Sequence, residues 1–212
     1  MRRLALFAMF GSIGVAETHV AAPVAVLLSG ETVPAPVLRA LEREAESALA
    51  PSRLTLSWLS SQAAQVPDVN GRMAIIRLRG LCRASGPART DPVVDANGDP
   101  VLGQTHIVDG RVLPIADVLC EAVWKLVEHD LKTVPPRDRE ELLGRALGRV
   151  VAHELYHILV GTTEHARSGL SRPGQSSTEL LAPRESFNAQ DEQRIADSEG
   201  ADSDLSTGTR RR

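Results

Sequence analysis

Between Asp138 and Val160 the chain carries Leu142, Leu143, Ala146, Leu147, Val150 and Val151 at helical spacing, without a proline. That stripe predicts the longest helix in the chain, with one broad apolar face to bury. Pro135-Pro136 stands before it, and Gly161 ends it, as a residue free to take the left-handed conformation just past a helix. Any fold for this chain has to supply a layer against which so long a helix packs. The same helix contains His153-Glu154-Leu155-Tyr156-His157. Two histidines one turn apart share a face and can converge on a single metal ion, each nitrogen at about 2.0–2.1 Å if the ion is zinc. Glu154 projects at a neighbouring angle, where it can take a proton from a water on the metal without being a ligand. Val150, Val151, Ile158 and Leu159 make the surroundings apolar, as a buried catalytic helix requires.

A catalytic zinc needs a third protein ligand and one open position. Gly161 lets the chain turn back, and His165 follows eight residues after His157. His165 is the expected third ligand, because three neutral imidazoles leave the ion its full charge for acidifying water. Glu164 and Glu179 are the carboxylate alternatives. Elsewhere, His106 reads as a satisfied strand histidine, and His129 as a helix-end residue interacting with the dipole. Asp95, Asn97, Gly98 and Asp99 read as a turn, since no bidentate glutamate follows at the spacing of a calcium loop.

The chain upstream alternates strand and helix signals. Val24–Leu28 is an apolar strand, Pro34–Ala50 an amphipathic helix, Leu54–Trp58 an alternating strand and Met73–Leu78 another. Ser60–Gly71 and Ala84–Pro100 read as loops. Gln104–Val108 and Arg111–Ile115 flank Asp109-Gly110, a two-residue hairpin signal, so one of these strands is antiparallel to its partner. A helix over Asp117–Leu131 is expected next, and a short one near Ala189–Asp197.

The motif His153-Glu154-x-x-His157, then Gly161 and His165, resembles the metzincin branch of the zincin metallopeptidases. The run HELYHILVGTTEHARSGL is also similar to small secreted bacterial zincin-like proteins. The resemblance spans roughly Val24 to Leu170, and its specific part is His153 to His165. It implies an α/β (α+β) fold. Its mixed sheet would have an antiparallel edge strand and pack on a crossover helix and a long active-site helix. It further implies a Zn2+ cofactor held by His153, His157 and His165, Glu154 as general base, and a peptide or protein substrate. Metzincins place the glycine three and the third histidine six residues after the second; here the offsets are four and eight. They also have a methionine turn below the metal, where this chain has Ser171 after Gly169-Leu170. That departure keeps a second class of function in view: a non-catalytic zinc-binding or interaction protein with the same fold.

The remaining expectations concern location. Arg2-Arg3, the apolar run Leu4–Val15 and the small residues Gly14 and Ala16 read as a signal peptide over residues 1–16. Residues 23–197 then form one metallohydrolase domain, and residues 198–212 a disordered polar tail. The product is expected to be secreted or periplasmic, where Cys82 and Cys120 would pair. A net charge of −3 gives no electrostatic case for nucleic acid or an anionic membrane.

Overall fold

Short apolar runs with period two pair side by side here, and the helices between them close one face of the resulting sheet. The computed structural model describes residues 23–30, 32–60, 72–86 and 93–207. The elements are β1 (Val24–Gly30), α1 (Ala35–Leu49), a 3-10 turn (Ala50–Ser52), β2 (Leu56–Ser60), β3 (Met73–Arg79), β4 (Gly103–Val108), β5 (Arg111–Leu119), α2 (Cys120–Leu131), α3 (Pro136–Val160), α4 (Ser177–Leu181) and α5 (Ala189–Thr207). The sheet order is β2-β1-β3-β5-β4. β1 is parallel to both β2 and β3, and β3 is parallel to β5. β4 lies at the edge, antiparallel to β5, as the Asp-Gly hairpin requires. Asp109 and Gly110 both have positive φ, 50° and 73°, the conformation a two-residue connection needs to match strand twist.

Ala74, Ile76 and Leu78 of β3, with Ala116 and Val118 of β5, point to the helical layer and are buried. Val37, Leu41 and Ala45 of α1 and Leu143, Leu147 and Val151 of α3 complete that core. α1 and α3 touch at backbone distance. A Cβ at Gly144 or Gly148 would overlap the carbonyl oxygen of Val37 or Leu41, so only glycine permits this crossing. α3 begins at Pro136, whose ring suits the first turn. It ends at Gly161, with φ 66°, as expected.

Four expectations shift. The helix expected over Asp117–Leu131 starts only at Cys120, because Asp117, Val118 and Leu119 pair with Arg77, Leu78 and Arg79 of β3. β5 is thus longer than Arg111–Ile115. It accommodates Pro114 where its register with β4 shifts between Thr105 and Ile107, the kind of irregularity in which a strand proline is tolerated. Strand β2 lies two residues later than expected. Helix α5 runs on to Thr207, so most of the segment expected to be disordered tail is helical. The expected signal peptide, the loop over residues 61–71 and the chain end from residue 208 lie outside the described residues.

Cys82 and Cys120 form a disulfide, with Cα atoms 4.8 Å apart and a sequence separation of 38. A closed loop of that length stabilises the fold by roughly 4 kcal/mol on a chain-entropy estimate. The bond fits an oxidising compartment. No helix among the described residues is long and apolar enough to cross a membrane.

Candidate metal centre

α3 places His153 and His157 on one face, and the backbone fixes their tautomers. His153 Nδ1 lies 2.8 Å from Leu170 O, and His157 Nδ1 lies 2.8 Å from Thr162 O. A carbonyl oxygen only accepts, so each Nδ1 carries a proton, and in a neutral ring Nε2 keeps its lone pair. The two Nε2 atoms are 3.1 Å apart. Neither can donate to the other, so the geometry calls for an electrophile shared between them. The turn at Gly161 brings His165 back. Its ring centroid is 5.2 Å from that of His153 and 4.7 Å from that of His157. One ligand atom from each of the three histidines falls within 4.8 Å of the others. Burial lowers the pKa of all three rings, that of His153 to about 4 with help from the neighbouring His157. Three neutral imidazoles, with the outer nitrogens of His153 and His157 hydrogen-bonded to backbone carbonyls, are a donor set suited to zinc.

The carboxylate alternatives are engaged elsewhere. Glu164 is exposed and lies 3.9 Å from Arg194. Glu179 belongs to the capping box of α4, accepting from Ser176, and pairs with Arg172. Outside the cluster, His106 sits on β4 with Nε2 2.7 Å from Asp117 Oδ2 and from Arg77 Nη2, a satisfied strand histidine. His129 stands in the last turn of α2. Asp95 closes an exposed turn, accepting from the amides of Asn97 and Asp99.

Glu154 is only 4% exposed. Thr105 of β4 donates to its Oε2 at 2.6 Å. Gly103, also on β4, lies so close that a Cβ there would overlap Oε1. Burial pushes the Glu154 carboxyl up to about 7, against the opposing hydrogen bond from Thr105. A carboxyl with that value near neutral pH both accepts and returns a proton readily. Two hollows meet at this group. One, of about 200 Å³, is lined by Thr105, Ile107, Val112 and Thr162; the other, of about 140 Å³, by Asp99, Leu102, Val150 and Gln175. Both are bounded by Gly103, His153, Glu154 and His165, so a cleft passes along β4 across the histidines.

The fold is similar to that of a solved structure, a zinc-dependent peptidase from Methanocorpusculum labreanum (strain Z). It superposes with a TM-score of 0.52 at 12% identity, over 81% of this chain and 99% of that one. The fold is zincin-like. No protein-family profile and no curated protein matches the chain. Motif reasoning found the histidines and Glu154 but not Gly103 or Thr105. These two alternate on the edge strand, and their proximity to Glu154 depends on strand register.

Proposed function

We propose that this protein is an exported zinc-dependent peptidase, with zinc held by His153, His157 and His165 and Glu154 as general base. The observation that carries this reading is the pair of facing Nε2 lone pairs, 3.1 Å apart, beside a buried carboxyl in an open cleft. The activity in the structural neighbour's name, zinc-dependent peptidase, supports it. Zinc bound there supplies a Lewis acid that polarises a substrate carbonyl and acidifies water. Glu154 accepts the proton of the attacking water and passes it to the departing amide nitrogen. Thr105 keeps the carboxylate aimed into the cleft by donating to its far oxygen. β4 is an edge strand, and its free backbone groups can pair with an extended peptide. The disulfide supports export.

Zinc analysis tests the metal. Purified protein should carry close to one zinc per chain, and His153→Ala/His157→Ala should carry none. His165→Ala should lower zinc affinity and turnover together. Zinc retained by the double variant would refute the assignment.

Acidity gives a second check. Protonation removes the lone pair that binds metal, so affinity falls once pH drops below a ligand's pKa. Burial lowers all three rings below the ordinary histidine value, that of His153 to about 4. As pH falls, zinc release should therefore set in at a lower pH than from three solvated imidazoles. Release at the same pH as from a solvated three-histidine peptide would show that burial does not protect the site.

A further inference from the structure

The His153 imidazole is aimed by a single acceptor, the Leu170 carbonyl. Both ends of that hydrogen bond lead to one buried group. Asp191 of α5 is 2% exposed. Its Oδ1 accepts from the Tyr156 hydroxyl at 2.9 Å. Its Oδ2 accepts from the Ser171 hydroxyl in a short hydrogen bond. Tyr156 follows His153 by three residues on the same helix, and Ser171 directly follows Leu170. One carboxylate oxygen thus grips the helix that carries His153, and the other grips the turn that carries its acceptor. Asn188 Nδ2 donates to the same Oδ2 at 2.7 Å, Asn188 Oδ1 accepts from the Asp191 amide at 3.0 Å, and Arg194 Nη1 donates to the Tyr156 hydroxyl at 2.8 Å. The turn is pinned again by Leu170 N–H donating to Ser186 O at 2.9 Å, and Ser171 is fully buried.

We propose that Asp191 is a positioning residue for the metal centre. Bridging Tyr156 and Ser171, it sets the distance between the Leu170 carbonyl and His153 Nδ1, and so the direction in which His153 Nε2 points. This inference rests on the zinc-centre reading above. A carboxylate receiving three donors suits the task, because charge-assisted hydrogen bonds are short and directional. Direct partners of a metal-bound histidine typically carry about 10- to 100-fold in metal affinity, and Asp191 acts through one of them, the Leu170 carbonyl.

The test is zinc affinity by chelator competition on the full chain, together with the absorption spectrum of the cobalt-substituted protein. Ser171→Ala cuts the turn side of the bridge, and Tyr156→Phe cuts the helix side; neither removes a ligand. Each should weaken zinc by about tenfold or more and alter the cobalt spectrum. The double variant should be little worse than either single one, because both cut the same link. Val127→Ala, in the core of α2, controls for general destabilisation and should leave zinc affinity unchanged. Wild-type zinc affinity and an unchanged cobalt spectrum in both single variants would overturn the proposal while leaving the zinc centre standing. An equal loss in Val127→Ala would also overturn it. A wild-type protein that takes up no zinc would overturn the proposal and the zinc-centre reading together.

Discussion

Glu154→Gln is expected to keep its zinc and lose its hydrolysis. The amide has the size and shape of the carboxyl, and its oxygen still accepts from Thr105 Oγ1, which lies 2.6 Å from Glu154 Oε2. What it lacks is the ability to take a proton from water. Glutamate at this position is 4% exposed, with its carboxyl pushed up to about 7 by burial, so no bulk base substitutes for it easily. The loss in chelator-sensitive casein hydrolysis should reach or exceed the range of about 10²- to 10⁴-fold seen for general acid–base groups, or about 3–5 kcal/mol of barrier. Zinc per chain should stay near the wild-type level. Turnover at the wild-type rate would remove Glu154 from the mechanism. Wild-type protein that binds zinc and shows no chelator-sensitive hydrolysis would favour the non-catalytic reading.

Arg149→Ala should be among the most damaging single changes to stability. Arg149 lies on α3 one turn before His153, with no exposed surface. Its Nε donates to Glu44 Oε1 on α1 at 2.8 Å, its Nη2 donates to Ala182 O at 2.8 Å, and its Nη1 makes a short hydrogen bond to Glu179 O. One guanidinium therefore joins α1, α3 and the C-terminal half of α4 with its cap. Truncation leaves two carbonyl groups without this donor and the half-buried Glu44 carboxylate with Arg145 alone, at 3.9 Å. Removing one partner of a buried ion pair costs about 3–5 kcal/mol, a large share of the stability of a typical domain. Denaturant unfolding of metal-free protein would read that loss directly; a change under about 1 kcal/mol would show that the neighbouring groups find other partners. Saturating zinc should recover part of the loss, since a ligand that binds only the folded state stabilises it.

The parts of this molecule legible in the sequence are those whose signal is local. The α3 stripe, the Gly161 stop, the Asp109-Gly110 hairpin and the His153/Glu154/His157 spacing all depend on residues within a turn or two of one another, and each appears in the structure. The boundary between β5 and α2 was not legible. Val118, Leu119, Ala122 and Val123 fit a helical stripe, but the parallel pairing of Asp117–Leu119 with β3 holds them in a strand. Tertiary pairing outweighs local periodicity there. The full extent of α5 escaped for a related reason: its composition is polar, and its described part is tied down by Asp191 and Ile195 against elements far away in the chain. The support of Glu154 by Gly103 and Thr105 is a matter of register across the edge of the sheet, which no spacing within β4 reveals.

On the proposed reading, the three histidines that would hold the ion come from a single stretch of chain, α3 and its exit loop, whereas the groups that contact Glu154 sit on β4. Capture of the ion and turnover therefore depend on different parts of the polypeptide, and descent can alter them one at a time. A side chain added at Gly103, or the loss of the Thr105 hydroxyl, would disarm the carboxylate and leave the histidines untouched. Within one lineage, such a change would turn a peptidase into a zinc-loaded receptor for extended peptides in a single step, with the cleft and its edge strand still in place.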